Sequence, residues 1–318
     1  MFTVGQAVAL GAVQGLTEFL PVSSSAHLKL VPWFMRWPVP ANEQAFDVAL
    51  HIGTTVALLG FFALEWFKIA MHYVGDVRQG RWAGGKTGGL LPKIALASVP
   101  AAVLGKLFEK KIDAYFYRDE SHIWMLAVTM SLFGLGLVLA ERFGSRKREV
   151  DTVTYRDALI VGCAQAMALI PGTSRSGITI LAGLALGLTR PAAARFSFLA
   201  ALPITLGAVA LKSKDLRGVE DWTPLWAGIA TSFVFGVIAI KVLLQYVATR
   251  PYSVFAYYRW AVAAAVIAVY LGRGPAPAAM VPALATAPAA ASAVVSAAEP
   301  GPVVSKPSPA TTTTTSPL

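Results

Sequence analysis

Charge is what this chain of 318 residues has least of: 14% is Asp, Glu, Lys or Arg, against 56% hydrophobic residues. A soluble domain carries about 25% or more charged residues to cover its surface. With a mean hydropathy of +0.60, a water-facing globule is excluded. Cysteine is nearly absent. The single Cys163 rules out a disulfide framework and a Cys-based metal site, and reads as a small core residue. A basic n-region is missing at the N-terminus, and Glu18 interrupts the first apolar stretch, so no cleaved signal is expected.

What the chain has instead is long apolar runs. Residues 46–64, 90–108, 123–140, 196–211, 224–247 and 257–272 approach or reach the ~20 residues a helix needs to cross a bilayer. Tryptophans such as Trp33, Trp66, Trp124, Trp222 and Trp260 cluster near the run edges, where an aromatic belt places them. The net charge of +10 does not indicate nucleic acid, because Lys and Arg sit in short loops rather than along one stripe. Loop 65–89 carries Lys68, Arg78, Arg81 and Lys86, and loop 141–157 carries Arg142, Arg146, Lys147, Arg148 and Arg156. Both are expected in the cytoplasm, and the mixed-charge segment 109–122 outside.

Residues 274–318 are mostly Ala, Pro, Thr, Ser and Val, with Glu299 and Lys306 the only charges, end near a run of five threonines, and read as a disordered tail. The remaining 1–273 contain an internal repeat, with units at about 1–122 and 155–273. Gly11-Ala-Val-Gln14 matches Gly162-Cys-Ala-Gln165, and Glu18 matches Leu169. Pro21 to Phe46 spans 25 residues, as does Pro171 to Phe196. The fold expected is all-α: a polytopic membrane helical bundle of two inverted-topology repeats, each with a re-entrant or broken helical hairpin, at about 3–34 and 158–189. Such repeats bring their polar loops together near the bilayer midplane, where non-helical backbone must be buried or line a wet cavity.

The polar loops carry the chemistry. Gln14 and Glu18 are four residues apart and share a helix face. A carboxylate in apolar sequence is functional by default: a ligand, with Gln14, for a hard cation such as Mg²⁺ or Ca²⁺, or an acid/base group. Phosphate oxygens would have to complete so thin a metal shell. Pro21 breaks the helix, and Ser23, Ser24 and Ser25 exceed what capping requires. His27 follows as a candidate acid/base or nucleophile. In the second loop, Gly172 permits a tight turn, and Thr173, Ser174, Ser176 and Thr179 offer hydroxyls beside a helix N-terminus suited to anions. Arg175, the only charge between Asp157 and Arg190, adds a planar cation for phosphate. Asp47 and His51 read as lining the cavity, and Arg190 and Arg195 as interfacial anchors.

These residues resemble a known family. Gln14-Gly-Leu-Thr-Glu18-Phe-Leu-Pro-Val-Ser-Ser-Ser-Ala-His27 and Pro171-Gly-Thr-Ser-Arg-Ser-Gly-Ile-Thr179 are similar to the two motifs of the bacterial undecaprenyl-diphosphatases, also called bacitracin resistance proteins. The likeness spans about 1–272. It implies hydrolysis of the polyprenyl lipid undecaprenyl diphosphate to its monophosphate, a divalent cation, and a site opening to the outer side of the inner membrane. It further implies that Glu18, Ser24, His27 and Arg175 are the active residues. Position 14 carries Glu in many members, so Gln14 is a weaker ligand than the motif usually supplies. Whether Ser24 or His27 attacks phosphorus stays open at this level, and a homodimer is compatible with the sequence.

A transporter or flippase of a polyprenyl phosphate lipid is the alternative, since inverted repeats with midplane loops are typical of transporters. Lipid phosphatases with a Pro-Ser-Gly-His motif need a second, later His, and none follows His122.

Overall fold

The computed structural model describes residues 2–40, 42–85, 89–116 and 122–273. Ten α-helices occur among them and no strand: α1 (Val4–Phe19), α2 (Ser24–Met35), α3 (Glu43–Arg78), α4 (Leu90–Phe116), α5 (Ile123–Phe143), α6 (Tyr155–Ala166), α7 (Arg175–Ala185), α8 (Arg190–Lys212), α9 (Thr223–Thr249) and α10 (Ser253–Arg273). The tail at 274–318 and residues 117–121 of the mixed-charge segment lie outside the described residues.

Six helices are long and apolar enough to span a membrane, within Glu43–Arg78, Leu90–Phe108, Ile123–Phe143, Arg190–Leu216, Thr223–Thr249 and Ser253–Arg273. Each contains or matches one of the expected runs. Leu64, Phe67, Leu107, Leu132 and Leu211 stand exposed on their outer faces. That surface suits lipid and would aggregate in water. The protein is therefore a multi-pass membrane protein. Helix α3 continues through half of the expected basic loop; its 36 residues make a rod of about 54 Å, longer than the ~30 Å hydrocarbon core.

The four remaining helices are too short to cross alone, at 16, 12, 12 and 11 residues for α1, α2, α6 and α7. They form two broken hairpins, at residues 4–35 and 155–185. Both open on a capping box, Thr3 with Gln6 and Thr154 with Asp157. Exchanging α1–α5 with α6–α10 carries the α1/α9 pair onto α6/α4 and the α3/α9 pair onto α8/α4. It leaves the α3/α8 and α5/α10 pairs unchanged. The helix pairing thus follows the duplication.

Local geometry corrects its register. Thr3 matches Thr154, Gly11 matches Gly162, and Gln14 matches Gln165 by one constant shift. The same shift aligns Ser23 with Ser174, both N-caps at positive φ, 80° and 74°. Pro21 therefore corresponds to Gly172 rather than to Pro171, and Ser24 corresponds to Arg175.

Small residues let helices approach closely, as in membrane interfaces generally, and the α3–α9 seam is one case. A Cβ on Gly53 would lie 2.0 Å from Ser232 Oγ and 2.4 Å from Ile229 O, while one on Gly60 of the same helix would meet nothing within 4 Å. Ser232 Oγ also donates to Leu50 O across this seam at 3.0 Å. Gly53→Val should overpack the α3–α9 contact by about 1–3 kcal/mol. We expect a lower thermal midpoint in detergent for Gly53→Val and an unchanged one for Gly60→Val; equal midpoints would contradict this packing.

The basic anchors turn out to be paired. Glu141 accepts from Arg146 at 2.7 Å, from Arg190, and from Tyr252 N at 3.3 Å. Arg195 pairs with Glu65 at 2.6 Å and Arg148 with Asp157 at 2.5 Å. Cys163 is exposed, contrary to expectation. Gly162 faces Ala97 of α4 and Gln165 bonds to it, which turns the next-door Cys163 outward.

Candidate active site

Glu18 lies in the last turn of α1, where the negative helix end disfavours a carboxylate. It is nevertheless buried, at 8% exposure. Three neighbours hold it there. Arg175 Nη2, at the start of α7, donates to Oε1 at 2.6 Å. Ser24 Oγ, at the start of α2, donates to Oε2 at 2.6 Å. Gln14 Nε2, one turn back on α1, donates to Oε2 at 3.2 Å. The repeat-equivalent pair Ser24 and Arg175 thus grips one carboxylate from both sides. The apolar ring cluster Phe19–Phe198–Phe62, with centroid spacings of 5.7 and 5.9 Å, underlies this turn of α1.

The loops are shaped from within. Ser23 Oγ caps Ala26 N and contacts Ser25 Oγ, and Ser174 Oγ caps Gly177 N and contacts Ser176 Oγ. Ser176 Oγ also donates to Leu20 O at 3.1 Å and so joins the two loops. Gly172 has φ +88°, and a Cβ there would lie 2.0 Å from Thr129 Oγ1, so the turn requires glycine. Two helix N-termini with their free amides are brought to the same region, which favours an anion.

Several buried polar atoms have no partner: Arg175 Nη1, Gln14 Oε1 and Thr173 Oγ1. Such groups cost about 1–3 kcal/mol each when left unsatisfied. An arginine that spends one nitrogen on Glu18 and leaves another unpaired is arranged for a further acceptor.

The other expected residues divide. Ser25 and Arg175 are partly exposed with Ser24, while Ser23, Ser174 and Ser176 are buried framework. Thr179 is not brought to Glu18: its hydroxyl donates to Arg175 O at 2.8 Å and lies 2.6 Å from Ser197 Oγ of α8. His27 is buried and makes no hydrogen bond to Glu18. Its Nδ1 lies 2.7 Å from Ser23 O and its Nε2 2.8 Å from Tyr258 OH. His51 stands nearer the chemistry than its cavity-lining role suggested, with Nε2 4.0 Å from Glu18 Oε2 and Nδ1 2.8 Å from Asp47 O.

The sequence reading missed Arg259 of α10. It is 1% exposed, and its guanidinium donates to the carbonyls of Met130, Pro21, Gly172 and Thr173, at 2.7 to 3.3 Å. It clamps both loops to α5 and places a buried cation under them. An arginine inside the apolar run 257–272, the third residue from its start, was the available signal.

A family model described as bacitracin resistance protein BacA matches residues 7–265. An undecaprenyl-diphosphatase of Moorella thermoacetica is 45% identical over 268 residues, covering 84% of this chain and 98% of that protein. Similar proteins with that name occur in Pelobacter propionicus, 44% identical over 270 residues (83% and 96% covered), and in Gemmatimonas aurantiaca, 45% over 258 (81% and 94% covered). With both loop motifs inside the matched region, this chain belongs to the bacitracin resistance protein BacA family.

Proposed function

We propose that this chain hydrolyses undecaprenyl diphosphate to undecaprenyl phosphate and inorganic phosphate, which recycles the lipid carrier of cell-wall synthesis and gives bacitracin resistance. The observation that carries the reading is Glu18 held between Ser24 Oγ and Arg175 Nη2, with Arg175 Nη1 left unpartnered. A nucleophile, its base and a phosphate-binding cation meet within one contact shell.

The diphosphate takes the free arm of Arg175 and the amides at the starts of α2 and α7. Ser24 Oγ then attacks the terminal phosphorus and passes its proton to Glu18 Oε2. The Oγ–P bond forms, the bridging P–O bond breaks, and undecaprenyl phosphate leaves with the bond's electron pair. Water next displaces Oγ from phosphorus. Glu18 returns its proton to Oγ, and phosphate departs with both water hydrogens. Ser24 is favoured over His27 as nucleophile because both imidazole nitrogens are already engaged, by Ser23 O and Tyr258 OH.

The donor set also suits a hard divalent cation, Mg²⁺ or Ca²⁺. No group of three or more His, Cys, Asp or Glu able to cage a metal occurs among the described residues. Glu18 and the unpartnered Gln14 Oε1 would supply one or two oxygens, the number Mg²⁺ takes from proteins when phosphate oxygens complete its shell. As placed, Gln14 turns Nε2 to the carboxylate; a half-turn of the amide presents Oε1 instead. When bound there, the cation supplies positive charge against the diphosphate.

On this reading the chain lies in the bacterial inner membrane, with its halves running in opposite senses and its site opening to the periplasm. His51 lies near the start of α3 and Arg78 at its far end, about 40 Å along the helix, so the site and the basic loop fall on opposite sides.

Phosphate release from undecaprenyl diphosphate by purified protein tests the reading. We expect release that EDTA abolishes and Mg²⁺ or Ca²⁺ restores. Movement of intact lipid between leaflets with no phosphate released would overturn it in favour of transport; full activity in EDTA would remove the cation.

A further inference from the structure

We propose that Tyr258 is a positioning residue for this reaction, acting through His27; the proposal rests on the hydrolytic reading above. Tyr258 and Arg259 are adjacent on α10, yet they do different things. Arg259 is buried and holds loop carbonyls, whereas Tyr258 is 45% exposed and turns its hydroxyl to the imidazole.

Three contacts define a chain from α10 to the peptide that carries the nucleophile. Tyr258 OH lies 2.8 Å from His27 Nε2, with the two ring planes within 9° of each other. His27 Nδ1 lies 2.7 Å from Ser23 O. A carbonyl only accepts, so Nδ1 must bear a hydrogen. In neutral histidine, Nε2 is then the acceptor, and the tyrosine O–H is its donor. Ser23 O also receives His27 N, at 3.2 Å. Both bonds therefore converge on the carbonyl of the Ser23–Ser24 peptide.

That peptide is the one that needs fixing. Ser23 has φ 80° and ψ 96°, a region an L-residue rarely adopts, so it holds only while its surroundings impose it. Which tautomer a histidine adopts is set by the partner of its other nitrogen. Without the phenol hydroxyl, Nε2 loses its donor, and the tautomer and ring orientation rest on the Ser23 carbonyl alone. The imidazole can then carry its hydrogen on Nε2 or flip, and Nδ1 ceases to donate to Ser23 O. The plane of the Ser23–Ser24 peptide loosens, and with it the aim of Ser24 Oγ. Tyr258 thereby acts on turnover at a distance from phosphorus, and on substrate binding hardly at all.

Tyr258→Phe keeps the ring and removes only the hydroxyl. We expect kcat for phosphate release to fall by about 10-fold with KM changed by less than about 2-fold, the pattern of a group that matters in the transition state. In a His27→Ala background the same substitution should change kcat by less than about 2-fold, because residues acting as one unit are non-additive. In ¹⁵N-histidine-labelled protein, the signal lost in His27→Ala should report the Nδ1–H tautomer, and Tyr258→Phe should change it. Additive effects of the two substitutions, or an unaltered kcat and tautomer in Tyr258→Phe, would overturn the proposal. If the wild-type protein releases no phosphate, the hydrolytic reading falls, and the tautomer measurement alone still decides whether Tyr258 governs His27.

Discussion

Ser24→Ala is expected to lower the rate of phosphate release by about 10³-fold or more, the scale seen when a covalent nucleophile is removed. The side chain is partly exposed, so its loss leaves no buried cavity to unfold the protein. Glu18 Oε2 retains Gln14 Nε2, and Oε1 retains Arg175, so the carboxylate stays in place. Substrate binding should therefore survive while turnover does not. The comparison that decides the nucleophile is with His27→Ala, measured in the same preparation. A positioning histidine costs less than the attacking serine. Near-normal release in Ser24→Ala, with none in His27→Ala, would hand the attack to the imidazole.

Arg175→Ala is expected to cut release by about 10³-fold, in the range of arginines that stabilise phosphoryl transfer. Here binding should suffer too, because the diphosphate loses its nearest cation. The substitution also strips Glu18 of its ion pair, and breaking a buried pair from one side costs about 3–5 kcal/mol. Arg175→Lys separates the two effects. It keeps the charge beside Glu18 and so keeps stability, but lacks the fork that reaches a second acceptor. We expect a melting midpoint near wild type and a loss of about 10²-fold in activity, the scale of one missing transition-state donor. Full activity in the lysine variant would mean that Nη1 serves no phosphate.

Much of this was legible in the sequence, for a physical reason. Spans are announced by hydropathy, and a polar residue in apolar sequence must be held by something. Glu18, Ser24 and Arg175 stood out on those grounds and meet in the structure. Arg259 carries the same signal, yet it sits near the start of a run that otherwise reads as a plain spanning helix. Tyr258 gives no signal at all, since tyrosine is ordinary at a membrane interface. Thr179 misleads in the opposite direction. It belongs to the motif, but a hydroxyl four residues into a helix can bond back to the preceding turn, and this one does. The positive φ of Ser23 and Ser174 was also hidden, because serine does not advertise that conformation as glycine does. That geometry moved the repeat register by one residue at the loop and placed Ser24 opposite Arg175.

The corrected register has a consequence for how such a site can arise. If the two halves descend from one sequence, their shared loop once carried the same residue at both positions, and whatever it bound sat between two like faces. Serine on one side and arginine on the other, with Glu18 matched in the repeat by Leu169, make those faces unlike. A diphosphate lipid is itself lopsided, with a tail at one end and a terminal phosphate at the other. An evenly matched pair of loops would admit it either way round with no preference. On the proposed mechanism, two substitutions at matching rungs would give the site a direction, presenting the terminal phosphate and not the tail-bearing one to Ser24.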